Sequence, residues 1–176
     1  ARQIDYLGCN ILWATDIQET RLTDGTTWQT IHWLDLFSRY ELGQATAASL
    51  TEKIVVRSYL AVAQRYGLPL LVKTDGDKLC YEATSGLPSL LSRVLAALGV
   101  HHLVIPKKQP WWNGVVERYI RTCRQEVQLP DRGDAEGMNA AMEAERRFYN
   151  QERCHSRCND QPPAPIYQPS PRQLPP

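Results

Sequence analysis

Apolar residues in the first third of the chain include many β-branched and aromatic ones and are interspersed with polar ones, a composition typical of β-strands. The segment NILWATDIQ has this character, and the Asp-Gly dipeptide in TDGTTW leads into a second such segment, TWQTIHWLDLFS. An Asp-Gly turn between two runs of this kind predicts a β-hairpin. RYELGQAT, which follows directly, is predicted to be a third strand.

The apolar positions then change to helical spacing in EKIVVRSYLAVAQRYG. Ser49 or Thr51 can cap the start of this helix, and Gly67 is expected to end it. A short apolar strand (LPLLVKTD), a helix closed by Gly99 (LPSLLSRVLAALG) and another strand (VHHLVIP) come next. Two further helices are predicted over roughly 112–128 and 134–150, with the breaker LPDRGD between them.

The resulting order, βββαβαβ followed by helices, predicts an α/β fold in which a five-stranded mixed sheet is flanked by helices. The sequence from Gln161 onward, QPPAPIYQPSPRQLPP, is too rich in proline to form a helix or a sheet. We therefore predict a core domain over residues 1–160 and, over 161–176, a Pro-rich tail that is extended over the surface or disordered.

Length and composition limit the possible classes of protein. With 176 residues the chain can bury a real core as one domain. The formal charge of +1 means that any contact with a polyanion must come from local clustering of cations. Five cysteines, an odd number, do not form a disulfide framework and suit a reducing, cytoplasmic compartment. No apolar run approaches the ~20 residues of a membrane span, so no membrane is expected as a partner.

Three acidic residues fall at positions where this scaffold can bring them together. Asp16 lies within or just after the first strand, Asp75 lies at the C-terminal end of the fourth, and Glu117 lies in the first turns of the helix after the fifth. Three converging carboxylates make an all-oxygen pocket of the kind that Mg²⁺ or Mn²⁺ prefers. Two such ions, roughly 3.5–4 Å apart, would serve phosphodiester chemistry.

Each acid also has an ordinary structural interpretation. Asp16 could be a strand-end turn residue, Asp75 part of an Asp-Gly turn, and Glu117 an i,i+4 ion-pair partner of Arg121. Taken singly, each of these is the more common situation. The joint pattern of the three acids must therefore be weighed against these alternatives.

Five sequence blocks in a fixed order carry a resemblance to a known family: LWATD, LDLFSRYELG, GLPLLVKTDGD, PKKQPWWNGVVERYIRTCRQE and FYNQERCHSRCNDQPPAPIY. In these blocks the chain resembles the catalytic core of the retroviral integrase superfamily and the DDE transposases of bacterial insertion sequences. The resemblance implies a ribonuclease-H-like fold, with strands and helices in the order βββαβαβα. It also implies that Asp16, Asp75 and Glu117 are the catalytic acids and the ligands of two Mg²⁺ or Mn²⁺ ions.

The resemblance implies cleavage and joining of DNA strands, with transposon or viral-like ends and target DNA as partners, in a homodimer or higher multimer. A bacterial relationship would make the protein prokaryotic, cytoplasmic and bound to the nucleoid when it holds DNA. A ribonuclease-H-like nuclease without strand transfer, or a non-catalytic DNA-binding descendant of a transposase, remains the alternative. The helices at 51–66 and 134–150 are candidate self-association surfaces because they carry apolar residues beyond one core face: Val55, Tyr59, Met138, Met142 and Phe148. The alternative is that these residues simply pack on the sheet.

Cations and polar residues around Glu117 are candidates for contact with DNA phosphates. The predicted DNA-binding residues are Lys107, Lys108, Asn113, Arg118, Arg121, Arg124 and His155. A solvated helix face is the alternative for the arginines, and for Arg124 the two are about equal. Trp111 and Trp112 are predicted to supply one core anchor and one exposed ring.

Two departures from the family pattern affect the acids. TDGD replaces the usual Asp-Asn-Gly, which makes Asp77 a competing ligand for Asp75. Forty-one residues lie between Asp75 and Glu117, more than in retroviral integrases, and we interpret the excess as loop in KLCYEATSGLP. Neither departure removes an acid.

Other metal-binding residue types in the sequence favour structural roles. His101 and His102 alternate faces of a strand, so at most one is buried and a metal role is not expected. CHSRC offers Cys154, His155 and Cys158 but lacks the second cluster that a zinc site of this kind needs. Asp35 is expected to support the fold or to pair with Arg39.

Overall fold

The computed structural model describes residues 7–76, 79–80, 87–105 and 113–175. Its strands are β1 Leu12–Arg21, β2 Thr27–Asp35, β3 Glu41–Ala47, β4 Leu71–Thr74 and β5 His101–Val104, and its α-helices are α1 Glu52–Tyr66, α2 Leu90–Ala97, α3 Gly114–Glu126 and α4 Ala135–Gln151. Within the described ranges, no helix combines the length and the apolar character that a membrane crossing requires.

The five strands form one mixed sheet in the order β3-β2-β1-β4-β5. β1 pairs antiparallel with β2, and β2 pairs antiparallel with β3. β4 is parallel to β1 on one side and to β5 on the other, which requires the helical crossovers through α1 and α2. The predicted fold class, an α/β fold with a five-stranded mixed sheet flanked by helices, is confirmed.

Local signals in the sequence explain where the first elements turn and end. In the β1–β2 hairpin, Asp24 Oδ1 accepts from the Thr26 N–H at 2.8 Å and Gly25 has a φ of 85°. Thr51 caps α1 by accepting from the Ile54 N–H at 3.3 Å. Gly67, at a φ of 80°, ends that helix. Of the two predicted caps, Thr51 is therefore the residue that is used.

Each face of the sheet buries its own hydrophobic cluster. The α1 and α2 face is built around Trp13, Trp33 and Tyr59, all fully buried. The α3 and α4 face contains Leu34 and Leu36 together with Met138, Met142 and Tyr119 from the helices. The sheet is thus covered on both sides, which explains why its strands carry apolar residues at both odd and even positions.

This two-sided packing corrects the prediction about self-association surfaces. Four of the five apolar residues assigned to them are fully buried in the monomer: Val55, Tyr59, Met138 and Met142. Phe148 alone of the five is exposed, with 42% of its surface accessible. The apolar residues in excess of one helix face were needed to cover the sheet, and they give no indication of a dimer interface.

The Pro-rich segment crosses the ends of β1, α1 and β4 as an extended strap. The Tyr167 ring stacks on Tyr40 at a centroid distance of 4.6 Å, and its hydroxyl donates to Asn10 Oδ1 at 2.8 Å. Ser170 is buried and donates its N–H to the Tyr66 carbonyl at 2.7 Å. The strap therefore joins the chain just before β1 to the end of α1.

Gly67→Ala is expected to destabilise the protein more than Gly25→Ala, because only Gly67 lies against the strap. A Cβ at Gly67 would come within 2.6 Å of the Ser170 carbonyl oxygen and 2.7 Å of that of Arg172, whereas a Cβ at Gly25 meets nothing within 4 Å. Both positions have positive φ. The strain shared by both sites is worth about 1 kcal/mol, and the backbone clash adds about 1–3 kcal/mol at Gly67 alone. Urea unfolding of the two variants measures the difference, and equal losses would contradict the packing described for the strap.

Candidate active site

Asp16 and Asp75 lie on neighbouring parallel strands at the same level of the sheet. The register pairs Leu12 with Leu71 and Ala14 with Lys73. Continuing it by two residues brings Asp16, in the middle of β1, level with Asp75, which directly follows β4. Asp75 is exposed and Asp16 is half-buried. The two acids are thus side by side at the point where β4 ends.

Glu117 approaches the same place from the helix that covers this face of the sheet. It lies in the first turn of α3, and its N–H donates to the Asn113 carbonyl at 3.0 Å. Val116 and Ile120 are buried against the sheet and fix which side of α3 faces the core, while Glu117 is exposed. The acid of α3 therefore stands at the rim of the helix–sheet interface.

The electrostatics of Asp16 indicate that the three acids share one neighbourhood. Burial, the largest cause, and the negative charges of Asp75 and Glu117 together raise the pKa of the Asp16 carboxyl to about 6. The Ile17 N–H, which donates to Asp16 Oδ1 at 2.8 Å, opposes the shift. A cation held between these carboxylates would relieve both the repulsion and the cost of burying the Asp16 charge.

The three carboxylates have the ligand chemistry that a hard divalent cation prefers, but they are not close enough together to coordinate one as they stand. Among the residues that the structure describes, no three His, Cys, Asp or Glu side chains form a group that could hold an ion as they stand. Carboxylate oxygens from two strands and one helix are the chemistry that Mg²⁺ and Mn²⁺ select. Asp16, Asp75 and Glu117 are the residues that would hold such an ion.

The alternative in which Glu117 is an i,i+4 partner of Arg121 is not what the structure has. Over the described part of the chain, the ion pairs within 4.0 Å involve other residues. Arg118, Arg121 and Arg124 are all exposed on α3. Their guanidinium groups are therefore presented to solvent beside Glu117 without being neutralised by it.

The remaining predicted DNA contacts are distributed differently. Asn113 is the N-cap residue of α3 but makes no capping hydrogen bond with its side chain, and its buried Oδ1 has no partner among the described residues. An asparagine at this position would ordinarily accept from the first turn of the helix. Lys107 and Lys108, like Trp111 and Trp112, lie outside the described residues, and so does Asp77.

His155 and its two cysteines belong to the region where α4 meets the strap. The His155 ring packs on Tyr149 at a centroid distance of 4.6 Å, and its backbone pairs with Gln161. Cys154 is exposed, whereas Cys158 is buried and donates its thiol to the Ser38 carbonyl at 3.4 Å. Among the described residues, no group of three metal-binding side chains is found here.

Asp35 and His102 have structural roles. Asp35 is fully buried and accepts from the Asn10 N–H at 2.7 Å and from the Ser38 hydroxyl at 2.6 Å. His102 bridges Thr74 Oγ1 at 2.9 Å and Ser92 Oγ at 2.8 Å, and burial lowers its pKa to about 4. Both arrangements tie strands to their neighbours, as expected for residues that support the fold.

A buried polar chain behind Asp16 was missed by sequence reasoning. His32, the cross-strand partner of Asp16, lies 2.7 Å from Glu41 through its Nδ1, and both side chains are fully buried. Tyr119 of α3 donates its hydroxyl to Glu41, and Glu145 of α4 lies 3.3 Å from the same hydroxyl. The available signal was a glutamate inside RYELGQAT, a segment that packs as a strand.

Comparison with known proteins shows which proteins this chain is similar to. The family model of the integrase core domain matches residues 98–163, a range that contains Glu117 and His155. The magnesium-bound catalytic core domain of HTLV-2 integrase, in a trimeric form, superposes with a TM-score of 0.71 at 15% identity, over 93% of this chain and 99% of that one. The catalytic core domain of BIV integrase gives a TM-score of 0.66 at 19% identity, over 90% of this chain and 93% of that one.

A larger assembly contains a similar chain. A chain of the simian T-cell lymphotropic virus intasome, in complex with PP2A regulatory subunit B56 gamma, superposes with a TM-score of 0.71 at 21% identity over 97% of this chain. The present chain spans 58% of the length of that chain. At these identities the likeness shows the fold, which is that of integrase catalytic cores. The resemblance seen in the five sequence blocks is confirmed by this fold and by the family match.

Proposed function

From a fold shared with integrase catalytic cores and a family match over residues 98–163, we propose that this protein cleaves and joins DNA strands with the help of divalent metal ions. The observation that carries the proposal is the placement of Asp16 level with Asp75 on neighbouring parallel strands with Glu117 on the covering helix, and the raised pKa of Asp16, to which burial and both other acids contribute, agrees with it. Carboxylates that repel one another at the surface of a fold are stabilised when a cation binds between them. The family match supports a polynucleotidyl transferase of the DNA integration and transposition type.

Asp16, Asp75 and Glu117 have the role of metal ligands in this proposal. Bound Mg²⁺ or Mn²⁺, two ions in the full proposal, would supply Lewis-acid stabilisation of an in-line displacement at phosphorus. Asp16 is held in orientation by the rigid strand β1, and its Oδ1 accepts a hydrogen bond from the Ile17 N–H, which fixes that oxygen. Glu117 projects from a helix whose buried side holds it against the sheet. The chain therefore contributes ligand geometry from two rigid elements, as precise positioning of reacting groups requires.

The exposed arginines of α3 are proposed to hold the phosphates that flank the scissile bond. Arg121 and Arg124 follow Glu117 at i+4 and i+7, on roughly the same side of the helix. Phosphate contacts of this kind orient the duplex and carry no sequence information. Lys107, Lys108, Asn113, Arg118 and His155 remain proposed contacts of the same kind.

Arg121→Ala and Arg124→Ala are each expected to weaken DNA binding severalfold and to reduce the slope of log K against log salt by about 1. The matched control is Arg57→Ala, because Arg57 is also exposed but lies on α1, over the opposite face of the sheet. Fluorescence anisotropy with a labelled duplex at several salt concentrations measures both quantities. Equal behaviour of all three variants would leave α3 without a special role in phosphate binding.

The test of the function itself is a joining assay with a labelled DNA end. Incubation with Mg²⁺ or Mn²⁺ should yield products longer than the labelled strand, which strand transfer alone can form. Shortened strands without longer ones would indicate the nuclease alternative, and metal-dependent binding without any product would favour a non-catalytic descendant. Substrates that differ in the sequence of the DNA end would measure whether this chain, which spans 58% of the intasome chain it matches, prefers one end sequence over another.

Assembly and location follow from the proposed chemistry. Two DNA ends must be handled together, while the chain offers one set of three acids, so a homodimer or higher multimer is proposed. Sedimentation with and without DNA measures the subunit number. The five free thiols and a chromosomal DNA substrate suit the cytoplasm of a prokaryote, with the protein on the nucleoid when DNA is bound.

A further inference from the structure

The buried polar chain between the sheet and α3 joins elements that are distant in sequence. Its members come from β2, the start of β3, α3 and α4: His32, Glu41, Tyr119 and Glu145. All four side chains are buried, and His32 and Glu41 have no exposed surface. Since an ion-containing cluster in a core seldom adds net stability over apolar side chains of similar volume, its presence calls for a role other than stability.

Hydrogen-bond chemistry gives the chain a direction. A carboxylate accepts, so Glu41 receives the His32 Nδ1–H through Oε1 and the Tyr119 hydroxyl through Oε2. The hydroxyl has one proton, which it gives to Glu41. The same hydroxyl lies 3.3 Å from Glu145 Oε2, a second and more distant acceptor, and burial together with the Glu41 charge raises the pKa of Glu145 to about 7. Both oxygens of Glu41 and the Tyr119 hydroxyl therefore have partners, whereas His32 Nε2 and Glu145 Oε1, at the two ends, have none among the described residues.

Tyr119 is the residue through which the buried polar chain contacts α3. The other residues that α3 buries against the sheet are Val116 and Ile120, whose contacts are not directional, and Cys123, whose thiol interacts with Glu145 of α4 and with Tyr119 itself. The Tyr119 hydroxyl supplies a directed bond to β3, and the ring lies edge-on to His32 at a centroid distance of 5.2 Å. Apolar packing tolerates small sliding and rotation of a helix, whereas a charge-assisted hydrogen bond does not.

Both ends of this tether, the hydrogen-bonded side chains of His32, Glu41 and Tyr119, adjoin the candidate metal ligands. Glu117 precedes Tyr119 by two residues, about 3 Å along the helix axis. At the other end, His32 is the register partner of Asp16 across the β1–β2 pair. The polar chain therefore spans from the strand neighbour of one acid to the helix that carries another.

We propose that Glu41 and Tyr119 are positioning residues that fix α3, and with it Glu117, at the right distance from Asp16 for a shared metal ion. This inference rests on the proposed function, because it assumes that the two acids hold an ion together. The tether acts through Glu117 and touches neither the metal nor DNA. His32 and Glu145 hold Glu41 and the Tyr119 hydroxyl in place from either end.

The test compares Tyr119→Phe with Tyr59→Phe in the whole chain. Both tyrosines are buried, but the Tyr59 hydroxyl has no hydrogen-bond partner among the described residues and its ring lies in the cluster on the opposite face. Tyr119→Phe keeps the ring and removes only the tether. Its Mn²⁺ dissociation constant, measured by calorimetry without DNA, is expected to rise about tenfold, the lower end of what loss of a supporting partner costs. Tyr59→Phe should bind Mn²⁺ like the unmodified protein.

Two further measurements separate positioning from a general loss of structure. Joining by Tyr119→Phe should recover at high Mn²⁺, since the acids are intact, whereas a partly unfolded protein would not regain activity in this way. Glu41→Gln should weaken Mn²⁺ binding like Tyr119→Phe, and the double variant should lose no more than either one, because both remove the same bond.

The outcomes discriminate between the two proposals. If the unmodified protein binds Mn²⁺ and Tyr119→Phe binds it equally well, the tether has no positioning role, and the proposed function stands. If the unmodified protein neither binds Mn²⁺ nor joins DNA, the proposed function fails, and the positioning role fails with it.

Discussion

Asp16→Asn, Asp75→Asn and Glu117→Gln are each expected to reduce DNA cleavage and joining by roughly three orders of magnitude or more, to near the background rate. Each change replaces the charged carboxylate of a proposed metal ligand by a neutral amide of the same shape. The three acids lie on β1, after β4 and on α3, so none can take over the position of another. The rate of product formation in the joining assay, at saturating Mg²⁺, measures the loss.

Glu19→Gln is the matched control for these variants. Glu19 lies on the same strand as Asp16, is exposed, and points to the other face of the sheet because the two positions differ by an odd number. Its removal should leave the rate unchanged. Asp77→Asn tests the choice within TDGD: a loss as deep as that of Asp75→Asn would mean that Asp77 is the ligand. Full activity in any one of the three acid variants would refute the assignment of the site.

Asp16→Asn is also expected to stabilise the metal-free protein at neutral pH. The pKa of Asp16 is raised from 3.8 to about 6 by burial and by Asp75 and Glu117. A carboxyl whose pKa is raised by folding destabilises the folded state once it is ionised, so wild-type stability falls as the pH rises from about 4 to about 6. A shift of this size corresponds to about 2–3 kcal/mol. Asp16→Asn does not lose stability in this way. Its free energy of unfolding should therefore exceed that of the wild type above pH 6 and equal it near pH 4.

Urea unfolding at pH 4 and at pH 7.5, without metal, measures this effect. Asp35→Asn is the contrasting control, because Asp35 is buried on the adjoining strand but accepts hydrogen bonds from Asn10 and Ser38. An amide nitrogen cannot accept, so Asp35→Asn should destabilise. Added Mg²⁺ should stabilise the wild type and not Asp16→Asn. The difference in stability between the two proteins should therefore shrink or change sign when Mg²⁺ is present. A loss of stability in Asp16→Asn at pH 7.5 would contradict the repulsion among the acids.

The sequence was sufficient for the sheet because its turns and caps depend on local patterns, while the role of the three acids stays a prediction. The Asp-Gly turn, Thr51 and Gly67 act on their immediate neighbours, and the structure uses all of them as predicted. Helices α3 and α4 were also found, with ends within a few residues of those predicted. What brings Asp16 and Asp75 together is a parallel pairing, which the order of strands and helices implies.

Long-range pairing explains what the sequence did not reveal. Glu41 looks like an ordinary polar residue of a strand, and its partners His32, Tyr119 and Asn150 come from three other elements. The apolar residues Met138 and Met142 were assigned to a surface because helical periodicity does not say how many faces of a sheet need covering. A strap of prolines has no periodicity at all, so the packing of Ser170 and Tyr167 could not be anticipated.

The most direct test of the central claim, that three acids form one metal site, is the anomalous diffraction of crystals soaked in Mn²⁺ at a concentration that supports DNA joining. The account predicts an anomalous peak in contact with carboxylate oxygens of Asp16 and Asp75, with Glu117 completing the site, and no peak there in Asp16→Asn crystals. Density for Mn²⁺ at another place in the molecule, with the three carboxylates bare under conditions in which DNA is joined, would contradict it.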